Sequence, residues 1–289
     1  SIYTHFENVG LFADVLSARS HVLSDHPFPC DDAALHHVID GGWMWVLRFN
    51  NGITSAGFSL DTAQHPADAH ADPETEWQDL LRQYPSIRRQ FIRAKPVRPL
   101  VDTGRLQRRL DVATGDDWAA LPHAAGFVDP FLSAGFAHTL FGIERLTRIF
   151  AEHWNAPDRS KRLADYSQTV FREMRFLDRL VAACLASFDR FEVMTSVSMI
   201  YFVAAVYCEE RIRAGLDKPA DEFLLANDTR FTEIADNLLG AAARAKPGDS
   251  VTLAERYAEM LKPYNQVGFC DPEKLNMYPF VTTTGDDAT

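Results

Sequence analysis

The sequence predicts an α+β chain, with an antiparallel sheet in residues 1–120 and a mainly helical region in residues 121–289. Two observations carry that expectation. In the first part apolar residues recur at every second position along short runs bounded by turn residues, which is the period of a strand. Beyond about residue 130 they recur at steps of three and four, the period of an amphipathic helix.

The clearest strand covers residues 43–49, with Trp43, Trp45, Leu47 and Phe49 on one face and Met44, Val46 and Arg48 on the other. Asn51-Gly52 suits the positive φ angles of a tight hairpin turn, so Ile53–Leu60 is the return strand. Asp40-Gly41-Gly42 marks another turn and makes Leu35–Ile39 the preceding strand of a meander. Residues 66–73 read as polar and turn-like, and a helix starts near Pro73, where proline suits the first turn. Pro85, Pro96 and Pro99 punctuate an irregular basic stretch, and residues 105–112 suggest a further strand pair closed by the turn at 114–117. In the second part Phe136, Leu140, Ile143, Leu146 and Phe150 define an apolar stripe, leaving Glu144 and Arg148 to pair outside it. Further helices follow at residues 159–188, 193–214, 229–245 and 252–261, with breaks at Gly248 and Pro263.

Composition narrows the function. Hydrophobic residues make up 46% and charged residues 24%, as in ordinary folded domains. The formal net charge of −11, without a dense Lys/Arg run, argues against nucleic acid as a partner. Cys30, Cys184, Cys208 and Cys270 are scattered with no CxxC pair, which suits reduced thiols in the cytoplasm. The most apolar run, residues 193–208, carries Thr195, Ser196 and Ser198 and is shorter than the ~20 residues of a membrane span, so no membrane partner is expected. His36 and His37 point to opposite faces of one strand and cannot chelate a metal together, so no metal is expected.

The most informative window is Pro122-His123-Ala124-Ala125-Gly126-Phe127-Val128-Asp129-Pro130-Phe131-Leu132-Ser133-Ala134-Gly135. Its small residues let a backbone pass close to a flat or bulky group. The helix that follows points its N-terminal N–H groups at this loop, an arrangement suited to an anionic ligand group. A simple glycine-containing turn entering a helix has the same residues, and both readings stay open on spacing alone.

The window resembles the second FAD-contacting motif of the flavoprotein monooxygenases and flavin-dependent halogenases, Gly-Asp-Ala-Ala-Gly-Phe-(Ile/Val)-Asp-Pro followed by Ser-(Ser/Thr)-Gly. Residues Ala124 to Pro130 match in order, and Ser133 and Gly135 match the closing pair. Gly42-Trp43-Met44-Trp45-Val46-Leu47-Arg48 is similar to the halogenases' Trp-x-Trp-x-Ile-Pro segment, and residues 52–57 to the Gly-x-x-Ser-Val-Gly after it. Gly268-Phe269-Cys270-Asp271-Pro272 is similar to a C-terminal feature of the same proteins. The resemblance implies FAD as cofactor and a separate flavin reductase as electron donor, with oxidation of an aromatic or apolar small molecule as the reaction. By carry-over, His123, Ala124, Gly126 and Phe127 lie toward the ribityl–pyrophosphate region. Pro130, Ser133, Ala134 and Gly135 then lie toward the isoalloxazine ring, and Asp129 belongs to the same cofactor-binding loop. Trp43 and Trp45 supply a wall for the substrate, where flat rings stack on indoles, or else fill the core face of the sheet.

Three departures qualify the resemblance. The Gly-x-Gly-x-x-Gly strand–turn–helix that seats the ADP half of FAD does not occur in the sequence, which therefore reads as an incomplete para-hydroxybenzoate hydroxylase/halogenase-like fold. The motif's Gly-Asp is Pro122-His123. The glutamate of the tryptophan halogenases is replaced by Leu132, which cannot shuttle a proton and points away from tryptophan chlorination. The competing expectation is a non-catalytic small-molecule-binding module that has lost its flavin site.

Overall fold

The computed structural model describes residues 1–20, 23, 28–65, 72–216, 223–246 and 248–270. These fall into two compact units, one from Ser1–Arg105 and the other within Leu106–Lys274. The structure is α+β, an antiparallel sheet unit and a helical unit.

In the first unit strands β1 (Ile2–Glu7), β2 (Leu35–Ile39), β3 (Gly42–Arg48) and β4 (Ile53–Leu60) are joined by short β5 (Lys95–Pro96) and β6 (Val101–Asp102). The order is β2-β3-β4-β1-β5, with β6 also on β1, and every pairing is antiparallel. Gly41 and Gly52, at φ 69° and 81°, occupy the left-handed region that the two predicted turns require. Helices α1 (Phe12–Ala18), α2 (Pro73–Gln83) and α3 (Pro85–Phe91) complete the unit. Asp72 caps α2 by accepting from Thr75 N at 3.1 Å. Pro85 opens α3, so the stretch expected to be irregular begins as a helix, consistent with proline at a first helical position. The predicted turn at residues 66–71 lies outside the described residues.

Register sorts the side chains of the sheet. His37, Met44, Phe58 and Ile2 lie in one cross-strand row, and His36, Trp45, Gly57 and Tyr3 in the next, on the other face. The first face is the core: Met44, Val46, Ala56 and Phe58 pack with Phe6, Trp77, Leu80 and Ile87. The tryptophan-bearing face is thus not the one that the unit's own helices cover. Arg48, on the core side, reaches Asp31 Oδ1 at 3.1 Å and the Val9 carbonyl at 3.1 Å, and also the Gly10 carbonyl. Asp31 in turn accepts from Phe12 N and Ala13 N at 2.8 and 2.9 Å, so it starts α1, a helix the residue pattern did not reveal.

His37 is buried with its Nε2 3.0 Å from Gln90 Nε2. Burial, followed by the neighbouring His36, pushes the ring down to about 3. An unfolded chain takes up this proton below about 6.5 and the folded one only near 3, so the stability is complete above 6.5 and declines as pH falls. The slope is on the order of 1 kcal/mol per pH unit per proton. Urea midpoints measured from pH 7 to 4 should fall, and His37→Gln should flatten that fall. An equally steep fall in the variant would contradict the assignment.

In the second unit β7 (Arg108–Arg109) pairs with β8 (Gly126–Phe127), which follows the short α4 (Pro122–Ala125). The expected strand pair within residues 105–112 is replaced by this longer-range pairing, because Gly126 brings its backbone against Arg108 and Met174. The long helices are α5 (Gly135–His153), α6 (Arg159–Leu185), α7 (Phe191–Arg213), α8 (Thr229–Arg244) and α9 (Ser250–Leu261). α7 is long and apolar enough to cross a membrane by length and composition, its most apolar 18 residues having a mean hydropathy of 1.6, but 61% of that stretch is buried inside the protein. A helix apolar on most sides is a core helix when its neighbours cover it.

Candidate functional site

The window from Pro122 to Gly135 forms a turn, a bridge and a loop that end at the start of α5. Side chains of α6 hold its approach: Tyr166 Oη donates to the Ala120 carbonyl at 2.9 Å, and Ser167 Oγ accepts from Ala113 N at 2.9 Å. Ala125 is fully buried and its carbonyl accepts from Leu110 N at 2.8 Å. Gly142 of α5 lets the Pro122 ring lie flat on the helix, since a Cβ there would sit 2.2 Å from Pro122 Cδ.

On this frame three of the sequence-predicted residues, His123, Phe127 and Gly135, converge. The rings of His123 and Phe127 are 5.0 Å apart, and Arg108 lies 5.7 Å over the Phe127 ring while donating to the His123 carbonyl at 3.0 Å. A Cβ on Gly135 would lie 3.0 Å from His123 Nδ1, so the imidazole borders the helix start. Ala124 and Ser133 are exposed, whereas Gly126 and Ala134 are buried. Ser133 adopts a left-handed φ of 54°, uncommon for a residue with a Cβ, and its N–H donates to the Pro130 carbonyl at 2.9 Å. Asp129 accepts from Phe131 N at 2.9 Å and so caps its own turn; α5 begins only at Gly135, with Ala134 as an N-cap that has no side-chain hydrogen bond. Phe131 and Leu132 are buried.

The first turns of α5 are fixed by a group the sequence pattern did not single out. Glu173 of α6, 2% exposed, accepts from Arg145 at 2.7 and 2.6 Å and from Phe223 N at 3.1 Å, with His138 Nε2 at 3.1 Å. His138 stacks on Phe223 at 4.7 Å. Burial alone would raise the Glu173 carboxyl, but hydrogen bonds from His138 and Arg145 and the Arg145 charge outweigh it and hold the group below its usual range. This cluster turns the polar side of α5 inward: His138, Gly142, Arg145 and Leu146 are buried, while Phe136, Leu140, Ile143 and Phe150 are exposed. Only Leu146 of the predicted stripe faces the core. Glu144 and Arg148 pair at 3.8 Å as expected.

In the sheet unit the Trp43 and Trp45 rings are 5.7 Å apart, and Trp45 lies over Gly57 with Tyr3 beyond it at 6.0 Å. Trp45 Nε1 donates to Ser55 Oγ at 3.3 Å and His36 borders Trp43 at 4.7 Å. This is a continuous aromatic row. A separate cleft of about 200 Å³ between α1 and α3 contains none of the predicted site residues. Among the described residues no three His, Cys, Asp or Glu side chains gather as a metal site.

The sheet-plus-helix fold is that of solved halogenases. Halogenase PltM superposes with a TM-score of 0.78 at 23% identity, covering 93% of this chain and 59% of that one. PltM in complex with phloroglucinol and FAD gives 0.74 at 22%, covering 98% and 61%. In sequence, a tryptophan halogenase family model matches residues 12–182, and the chain belongs to that family. It is 30% identical over 244 residues to tetracycline 7-halogenase of Kitasatospora aureofaciens, which covers 82% of this chain and 43% of that protein. Monodechloroaminopyrrolnitrin halogenase PrnC of Pseudomonas fluorescens is 29% identical over 221 residues, covering 73% and 38%. The chain thus spans less than half the length of these two relatives. Asp271 and Pro272 of the C-terminal resemblance lie outside the described residues.

Proposed function

We propose that these residues belong to an FAD-dependent oxidoreductase, halogenase-like or monooxygenase-like, acting on an aromatic or apolar small molecule. The observation that carries the reading is the start of α5. A helix of 19 residues without a side-chain cap opens onto the exposed Ser133, beside small residues and the His123–Phe127 pair. The small residues of this cradle suit FAD: Gly135 has no Cβ to crowd the His123 ring that borders the helix start. Ser133, Ala134 and Gly135 would border its ring, with Asp129 and Pro130 shaping the loop, and His123, Ala124, Gly126 and Phe127 would border the chain that carries it. When bound, FAD supplies the redox chemistry.

The protein's own part is orientation and electrostatics. The N–H groups and dipole of α5 favour negative charge at this end, and the Glu173 cluster fixes the helix that aims them. His123 offers a ring nitrogen where relatives carry a carboxylate, so it can donate or accept according to tautomer. Leu132 is buried and supplies packing instead of a proton, which favours substrates other than tryptophan. Half-buried Trp45 is assigned to the substrate wall, with Trp43, 2% exposed, buried behind it. Tetracycline 7-halogenase and the phloroglucinol complex of PltM both support an aromatic substrate. A flavin reductase is the partner that family membership suggests, and the cytoplasm the compartment; neither nucleic acid nor membrane is proposed as a partner. The Pro122-His123 substitution favours one second reading, a binding module without flavin.

The test is the visible spectrum of the purified chain, alone and joined to the coding sequence upstream of Ser1. The proposed function predicts yellow protein that releases FAD on denaturation from the joined form. Colourless protein that still binds small aromatics would favour the binding module.

A further inference from the structure

We infer that the cleft between α1 and α3 is a binding site for a small zwitterion, an aliphatic α-amino acid, separate from the flavin loop. The cleft holds about 200 Å³ and lies within the sheet unit. That is less than the ~300–1,000 Å³ of sites for drug-sized ligands, so its occupant is the size of a single amino acid. Three kinds of side chain line it, and each answers one part of such a molecule. Arg89 of α3 and Arg93, four residues on, are both exposed and bring positive charge to the cleft. Planar guanidinium groups bind carboxylates through paired N–H donors. Two cations lining one small cleft also repel each other, a repulsion that an anion between them relieves. Asp14 of α1 brings the opposite charge. It is exposed, and among the described residues neither Asp14 nor Arg93 is ion-paired.

Gln90, which also lines the cleft, points independently to a donor on the ligand. It is 1% exposed, its Nε2 lies 3.0 Å from His37 Nε2, and its Oε1 is buried without a hydrogen-bond partner. A buried acceptor left unmet is unfavourable. An ammonium group carries three N–H donors and no acceptor, so it can serve both this oxygen and the Asp14 carboxylate. Leu11 and Val15, four residues apart on the cleft side of α1, and Ile92 offer the apolar surface for an aliphatic side chain, with Leu11 45% and Ile92 73% exposed. Gly10 ties the two walls together. Its N–H donates to the Gln90 carbonyl at 2.6 Å, and a Cβ on it would lie 3.4 Å from Gln90 Cα. The cleft is therefore formed before a ligand arrives, which lowers the entropy lost on binding. Nothing in this site depends on bound flavin.

Titration calorimetry of the purified chain with L-leucine tests the site, with N-acetyl-L-leucine and isoamylamine as probes that each lack one charge. L-leucine should bind saturably with a dissociation constant on the order of 1 mM or below. Each single-charge probe should bind at least about tenfold more weakly. Arg93→Gln and Asp14→Asn should each weaken L-leucine about tenfold. Ala18→Phe, which fills the cleft from the exposed end of α1 and alters no charge, should abolish binding. Arg88→Gln, exposed on α3 but outside the cleft, should bind as the unaltered chain does. All four positions are exposed, so the melting temperatures should stay together. The probes act on the unaltered chain, so they read the charge requirement even where a variant folds poorly. No saturable binding of L-leucine, or binding that survives Ala18→Phe, would overturn the inference. N-acetyl-L-leucine binding as tightly as L-leucine would overturn it in favour of a simple anion site, and isoamylamine doing so would overturn it in favour of a cation site.

Discussion

Replacing Glu173 by alanine is expected to destabilise the helical unit by roughly 3–5 kcal/mol, the range for removing one partner from a buried charge cluster. The carboxylate is 2% exposed and accepts both Arg145 guanidinium nitrogens and a backbone N–H, with His138 alongside. Its loss removes the carboxylate that both Arg145 nitrogens donate to and releases Phe223, which precedes Leu224 and Leu225, both held at left-handed φ of 56° and 54°. The melting temperature should fall on the order of 10 °C, with Glu173→Gln intermediate because the amide keeps the shape and one acceptor. Because the folded carboxyl lies below its ordinary 4.5, its contribution is present above that value and is lost as pH falls through the folded one. The glutamine variant should therefore show a shallower loss of stability on the acid side. A change of melting temperature within experimental error for the alanine variant would refute this account of α5.

Gly142→Ala should have the next largest effect. Its Cβ would lie 2.2 Å from Pro122 Cδ and 2.6 Å from Pro122 Cγ, atoms of a ring that cannot swing away. Overpacking of this kind costs about 1–3 kcal/mol, here by pushing the turn at Pro122–Ala125 off the helix and carrying His123 with it. Gly240→Ala on α8 is the matched control, since its Cβ would meet only the flexible end of Arg244 at 3.3 Å. That change should be neutral or stabilising through helix propensity. Urea denaturation of both variants checks the contrast, and equal destabilisation would show that the Pro122 contact is not what matters.

Much of the fold was legible because strong periodicity survives tertiary context. The meander of β2, β3 and β4 follows from Asp40-Gly41-Gly42 and Asn51-Gly52, whose glycines take positive φ as turn chemistry requires. The helices α6 to α9 begin and end within a few residues of where spacing put them. The errors have physical causes. For α5 the apolar stripe was read as the buried side, yet Glu173 draws His138 and Arg145 inward and Gly142 seats Pro122, so the other side is buried. The signal lay in α6, where a glutamate stands between Val170 and Met174 on a stripe that is otherwise apolar. In the sheet, alternation separated Trp43 and Trp45 from Met44 and Val46 correctly but gave no way to tell which face the helices cover. The short α1 escaped notice because its start depends on Asp31, nearly twenty residues away in sequence. The site loop was visible through family resemblance more than through physics: the small residues at 124–126 and 133–135 have many uses, and only their order singled out one.

The most direct test is a crystal structure of the chain, joined to the coding sequence upstream of Ser1, grown with FAD. The account predicts a tricyclic ring against Ser133, Ala134 and Gly135, within hydrogen-bonding reach of the backbone amides that open α5, and His123 alongside. Protein packed tightly over that helix end, with no opening wide enough for the ring and flavin absent or bound elsewhere, would contradict it.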